Sequence, residues 1–329
     1  MGLSQQEQKF LAYKKKYKFL FFAAFLLGIL VVWFFLTNLK KGSLQHSFEE
    51  KLNRYSLLDP TRNLLEQKDA ITNIQPLREY LDTLAVREAS STKISIYFEF
   101  LNTGANISVN KDEKVWPVSL AKLPLAMLAM KKVEEGHWKE TDMLEVLDEN
   151  VNSGSGSLYK EGSNVRFEVW KLITEMLINS DNTAYRIIKR NTSLEEREAM
   201  AEEVGLGELF EDQGKVSAKE YSRLFRVLYT ASYLNQENSQ KLLKLLSQNH
   251  FVEFLNLGMP KEVMFSHKQG ENTKLNVYSD SGIVYFDSRP YILSVMLEPN
   301  AYKDKAGKEY AKGIMQEISK KTFEYIKNK

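Results

Sequence analysis

The chain has 329 residues, 43% of them hydrophobic and 27% charged, a composition that supports a sizeable folded core and excludes a disordered chain. Its net charge is only +2, and the first 41 residues hold seven Lys and one Glu, so the remaining 38 basic and 42 acidic residues form a body of net −4. A mildly acidic body without a basic stripe argues against nucleic acid as the main partner, and zero cysteines exclude a disulfide scaffold, a thiolate zinc site, an iron–sulfur cluster and a cysteine nucleophile.

The first element in chain order runs from Phe19 to Leu36, FLFFAAFLLGILVVWFFL, 18 residues without a charge. As a helix it spans ~27 Å, close to the thickness of a bilayer's hydrocarbon core. A cleaved signal peptide would carry a shorter apolar run followed by small residues, whereas Thr37-Asn38-Leu39-Lys40-Lys41 follows here, so the expectation is a retained anchor over residues 19–36. Five Lys precede the span and two follow it, which predicts a cytoplasmic basic tail at 1–18 and a body outside the cell membrane. Residues 37–73 are polar and mixed in charge, broken at Asp59-Pro60, and read as a stem.

Beyond the stem, an amphipathic helix is predicted at about 74–88, followed by a hairpin over 93–110 that turns at Asn102-Thr103-Gly104. Residues from about 118 to 250 read as helices, and so does the tail from 304. Three strands fall late, within 262–269, 276–286 and 290–298, with turns expected at Gly270-Glu271-Asn272 and Asp287-Ser288-Arg289-Pro290. Two strands early and three late predict a mixed α/β domain over 74–329: an antiparallel sheet built from N- and C-terminal strands, flanked by helices, with an all-helical subdomain inserted between them.

The stretch Val115 to Met130 carries the most chemical information. Pro124 is tolerated only in the first turn of a helix, so the helix is predicted to begin near Leu120 with Ser119 at its N-terminal end. The helix is apolar almost all round and hence buried, and Lys122 is the one charge on its first turns, three residues from Ser119 and on the same face. Burial lowers the pKa of an ammonium and lets it act as a base toward the Ser119 hydroxyl, while the helix N-terminus favours a developing oxyanion. The spacing alone says little, since Ser90–Lys93 and Ser157–Lys160 repeat it in polar contexts.

Two further pieces are ambiguous when taken singly. Ser180-Asp181-Asn182 interrupts a helical pattern and reads as a helix N-cap. His267-Lys268-Gln269-Gly270 ends a late strand and reads as a solvated Lys beside a turn glycine.

In this order, however, Ser119-Leu120-Ala121-Lys122, Ser180-Asp181-Asn182 and Lys268-Gln269-Gly270 resemble the S-x-x-K, S-D-N and K-T-G signature of the superfamily of class A β-lactamases and penicillin-recognising D,D-peptidases. The resemblance covers about residues 74–329. It implies a serine hydrolase or acyltransferase without cofactor or metal, with Ser119 as acylated nucleophile and Lys122 as base or proton relay. It further implies Ser180 as the hydroxyl that passes a proton to the leaving nitrogen, Asn182 as the amide for a substrate carbonyl, and Lys268 as the cation that fixes a carboxylate. The oxyanion hole would combine the backbone N–H of Ser119 with that of Glu271, after Gly270. The implied substrate is a β-lactam or a cell-wall stem peptide.

Two departures qualify this. Gln269 stands where the signature has a hydroxyl residue that helps hold the substrate carboxylate. The loop that carries a deacylating Glu in class A β-lactamases looks truncated, since helical sequence fills most of residues 183–216; Glu208 and Glu211 are candidates on proximity alone, and each is more in keeping with a solvated loop acid. The missing Glu argues for a peptidase-like or penicillin-binding enzyme with slow deacylation; a catalytically degenerate envelope binding module, supported by Gln269, is the alternative. Four widely spaced His show no ligand spacing, and the Gly/Ser stretch 152–157 reads as an edge of the active-site cleft. Oligomeric state is not legible.

Overall fold

A computed structural model describes residues 73–210 and 214–329. The expected basic tail, the apolar segment 19–36, the stem up to residue 72 and Glu211 lie outside the described residues. No helix among the described residues is long and apolar enough to cross a membrane.

In chain order, α1 (Gln75–Glu88) opens with a proline in its first turn and buries Leu77, Leu81, Leu84 and Ala85, a stripe set by the helical period. It leads into β1 (Thr92–Phe100) and β2 (Ala105–Val109), which meet at a turn where Gly104 takes a positive φ of 74°. The middle of the chain holds α2 (Lys122–Glu134), β3 (Met143–Glu145), β4 (Arg166–Glu168), α3 (Val169–Ile178), α4 (Asn182–Arg190), α5 (Leu194–Glu203), α6 (Ala218–Tyr229) and α7 (Gln236–Ser247). The C-terminal part supplies β5 (Met264–Asn272), β6 (Val277–Tyr285), β7 (Tyr291–Pro299) and α8 (Asp304–Lys327).

The five long strands form one antiparallel sheet in the order β2-β1-β7-β6-β5. The early hairpin is closed onto the late strands by the β1–β7 ladder, which runs from Thr92 opposite Pro299 to Phe100 opposite Tyr291. Leu81, Phe98, Tyr291, Leu293, Met315 and Ile318 belong to the core shared by the sheet, α1 and α8. On the opposite side α6 meets β7, β1 and β6, and α7 meets β5. This burial on both faces explains why β6 and β7 read as nearly continuous buried runs.

Two expectations need correction. The inserted subdomain is not all helical: β3 and β4 pair from Met143 opposite Glu168 to Glu145 opposite Arg166, and three-residue strands are too short to show a period of two. Nor do Gly270, Glu271 and Asn272 form a turn. They continue β5 in register with β6 up to Asn272 opposite Val277, and the reversal falls on 273–276, with Asn276 at φ 55°. Because β5 is the outermost strand, one side of its backbone is left free to meet a ligand or another element.

Candidate active site

The turn before α2 is a short 3₁₀ segment, Val118–Ala121, that passes directly into the α-helix at Lys122; the predicted helix start near Leu120 falls inside it. Val118 sits at φ 49°, a left-handed conformation that is costly for a β-branched residue and that turns the chain sharply just before Ser119. Two contacts hold this turn. Tyr221 of α6, fully buried, donates its hydroxyl to the Leu120 carbonyl at 2.9 Å. Gly270 of β5 packs so closely that an added Cβ would lie 3.1 Å from the Pro117 carbonyl oxygen and 3.3 Å from the Leu120 nitrogen, so the absence of a side chain is what lets the edge strand lie against the serine turn.

Lys122 is 3% exposed and its Nζ is surrounded by four oxygens: Ser119 Oγ at 3.0 Å, the Ser180 carbonyl at 2.7 Å, Ser180 Oγ at 3.0 Å and Asn182 Oδ1 at 2.7 Å. Burial, reinforced by the neighbouring Lys268 charge and partly offset by Asp181, pulls its pKa down to about 7. A neutral amine has two N–H bonds and one lone pair. The Ser180 carbonyl and the Asn182 amide oxygen can only accept, so they take the two N–H bonds and leave the lone pair for a hydroxyl proton. Chemically, such an arrangement could take a proton from the Ser119 hydroxyl 3.0 Å away.

The Ser180-Asp181-Asn182 stretch serves two purposes at once. Asp181 is the N-cap of α4, its Oδ1 accepting from the Ala184 N–H at 2.9 Å, while its Oδ2 accepts from the N–H groups of Ser157 at 2.7 Å and Leu158 at 2.9 Å. The capping reading is therefore right for Asp181 and incomplete for its neighbours. Ser180, at φ 51°, presents its hydroxyl to both lysines, since Lys268 Nζ donates to it at 3.1 Å. Lys268 is fully buried on β5, also donates to the Gln269 carbonyl at 3.3 Å, and lies 5.9 Å from the Phe251 ring centroid. Burial brings its pKa down to about 8, against an opposing pull from Asp280.

Ser119, Lys122, Ser180, Asn182 and Lys268 are thus brought together, with Gly270 against the same turn. Gln269 and Glu271 differ. Adjacent residues of a strand face opposite ways, and both fall on the face away from Lys268. Gln269 is 4% exposed and its amide oxygen has no hydrogen-bond partner. The Glu271 carboxylate pairs with Lys308 at 2.8 Å, which also holds Glu253 at 2.6 Å, so only the backbone of Glu271 is available to the serine side. Glu208 is 61% exposed and bound to Lys114 at 2.9 Å, a surface ion pair rather than a member of this cluster.

Sequence reasoning missed Asn152, whose Oδ1 accepts from Asn182 Nδ2 at 3.0 Å, and the Tyr221 support. The 152–157 stretch lies at the edge of the cluster as expected, tied to it by the Asn182 N–H, which donates to the Ser155 carbonyl at 3.0 Å. Its glycines were the available signal, since a Cβ at Gly156 would collide with Asp181.

A model of the beta-lactamase enzyme family matches residues 76–326. Comparison with curated proteins finds no match. Among solved structures, PBP-A superposes with a TM-score of 0.70 at 20% identity, covering 78% of this chain and 97% of its own. Its L158E mutant, described as an acyl-enzyme complex with penicillin G, matches at the same identity and TM-score, with 78% and 98% covered. A β-lactamase from Sphaerobacter thermophilus reaches 0.66 at 18% identity, covering 75% and 96%, and an ancestral class A β-lactamase 0.67 at 18%, covering 76% and 99%. At such identities these likenesses carry the fold.

Proposed function

Because this chain belongs to the beta-lactamase enzyme family, we propose that it is an active-site serine hydrolase or acyltransferase that forms an acyl-enzyme on Ser119 with a β-lactam or a cell-wall stem-peptide amide. The observation that carries this reading is the coordination of Lys122, with two pure acceptors on its N–H bonds and the Ser119 hydroxyl 3.0 Å away.

In this mechanism the neutral Lys122 amine accepts the Ser119 proton as Oγ attacks the substrate carbonyl, forming the C–O bond. The negative charge on the tetrahedral oxygen is met by the backbone N–H groups of Ser119 and Glu271, two donors at an edge strand and a helix end that need no reorganisation. As the C–N bond breaks, the proton held by Lys122 passes through the Ser180 hydroxyl to the leaving nitrogen. Asn182 holds a substrate carbonyl through its amide NH₂, and Lys268 keeps the Ser180 hydroxyl in place and supplies positive charge to an anionic substrate group. Water then cleaves the ester.

The engagement of Glu208 with Lys114 supports slow deacylation, and with it a penicillin-binding or peptidase-like enzyme over an efficient β-lactamase. A non-catalytic binding module draws on Gln269 alone, whereas the Lys122 arrangement has no use in mere recognition. Residues 19–36 are proposed as a retained single-pass anchor with the N-terminus cytoplasmic. External protease on intact cells is then expected to remove the body and spare a membrane-embedded stub, and protection of residues 42–329 would invert the orientation. The enzymatic reading is tested by labelling the full-length chain with fluorescent penicillin: covalent label is expected, and its absence would favour the binding module.

A further inference from the structure

The hydrogen bonds around Lys122 have a direction, and that direction starts outside the three motifs. The backbone N–H of Gly154 donates to Asn152 Oδ1 at 3.0 Å. A backbone N–H can only donate, so the side-chain atom it meets is the Asn152 oxygen and not its NH₂. That same oxygen accepts from Asn182 Nδ2 at 3.0 Å, which fixes the NH₂ of Asn182 on the Asn152 side and its oxygen on the Lys122 side, where it accepts at 2.7 Å. The chain of bonds is therefore polar from end to end.

Other contacts hold the chain in place. Asn152 is pinned through its own N–H, 3.0 Å from Thr183 Oγ1, and Asn182 through its N–H on the Ser155 carbonyl. Gly154 lies over the Asn152–Asn182 bond so closely that a Cβ there would stand 3.0 Å from both Asn152 Oδ1 and Asn182 Nδ2. Without Asn152 the Asn182 amide would have no obligate acceptor on that side, and either of its ends could face Lys122.

We propose that Asn152 is a positioning residue: it relays the polarity of the Gly154 N–H through the Asn182 amide, so that an acceptor always faces Lys122 and the lysine's lone pair is left for Ser119. One N–H of Asn182 Nδ2 is thereby also kept free for a substrate carbonyl. The groups that act on Lys122 besides this relay are Lys268 of β5, which disfavours its charge, and Asp181 at the start of α4, which favours it. The catalytic consequence rests on the acyl-enzyme reading above; the hydrogen-bond relay itself does not.

Two variants separate the possibilities. Asn152→Leu keeps the size and removes the acceptor, whereas Asn152→Asp keeps an acceptor for both the Gly154 and Asn182 donors. Both are compared with the full-length parent by the rate of penicillin labelling and by NMR titration of Lys122 in isotopically labelled lysine without substrate. With Asn152→Leu, labelling is expected to slow about tenfold, the scale of one functional buried hydrogen bond, and the Lys122 midpoint to move to lower pH because an acceptor for its ammonium is lost. With Asn152→Asp, most of the labelling rate is retained and the midpoint moves to higher pH under the added negative charge. An Asn152→Leu protein with the parent's rate and midpoint, or an Asn152→Asp protein as impaired as Asn152→Leu, overturns the proposal. If the parent itself is not labelled while the two midpoints move apart as stated, the relay stands and the acyl-enzyme reading is what fails.

Discussion

Lys268 Nζ lies 3.1 Å from the Ser180 hydroxyl, the same hydroxyl that Lys122 contacts at 3.0 Å, so two buried amines from different layers of the fold converge on one oxygen. Two like charges there would repel, and burial already disfavours both. Burial leaves one of them neutral more readily than the other, and the deeper depression at Lys122 suits it to the base role proposed above.

From this follows the pH dependence of acylation. Lys122 must lose its proton, with a pKa of about 7, and Lys268 must keep its own, with a pKa of about 8. The rate of penicillin labelling is expected to rise through the first value and fall through the second, with an optimum between them. A rate that climbs steadily to pH 9 would show that the Lys268 charge is not required.

Stability should carry the same signature. The folded-state pKa of Lys122 is lowered from 10.5 to about 7, so between those values the unfolded chain holds a proton there that the folded one lacks, and stability from this residue rises with pH. The slope is up to ~1.4 kcal/mol per pH unit. Lys122→Met removes that contribution, so the variant is expected to be more stable than the parent at pH 7, and this advantage, measured by denaturant titration from pH 7 to 10, is expected to shrink as pH rises and the parent gains stability. Parallel curves would contradict the burial of a titrating amine.

Glu208 gives a third test. Its carboxylate is held by Lys114 at the surface, and general-base assistance typically contributes ~10²–10⁴-fold. Glu208→Gln is expected to leave the lifetime of the penicilloyl adduct unchanged when followed by intact-protein mass spectrometry. An adduct lost within seconds in the parent and preserved in Glu208→Gln would make Glu208 the deacylating base.

How much of this was legible in the sequence depended on whether a residue's role was local. Ser119 and Lys122 could be read because an uninterrupted apolar helix start makes its single lysine conspicuous, and Pro124 places that start within a turn. Ser180 and Asn182 could not be read alone, since the capping role of Asp181 between them accounts for the same three letters. Glycine usually marks a turn, which is how Gly270 reads in sequence; its actual reason is the approach of the Pro117–Leu120 backbone, a tertiary contact that leaves no local trace. The sequence marks Asn152 only as part of the 152–157 cleft edge; its bond to Asn182 leaves no local trace because the partner lies 30 residues away. The antiparallel sheet was foreseeable from the grouping of strands at the two ends of the domain, whereas β3 and β4, at three residues each, offer no periodicity to find.

Acylation of Ser119 with Lys122 as its base can be read by intact-protein and peptide mass spectrometry after a penicillin pulse on the parent, Ser119→Ala and Lys122→Ala chains. The expected result is one penicilloyl mass on the peptide containing Ser119 in the parent, none in Ser119→Ala, and a yield reduced by about 10²-fold or more in Lys122→Ala over the same interval. An adduct of undiminished yield in Ser119→Ala, or one mapped to Ser180 or any other residue, would contradict it.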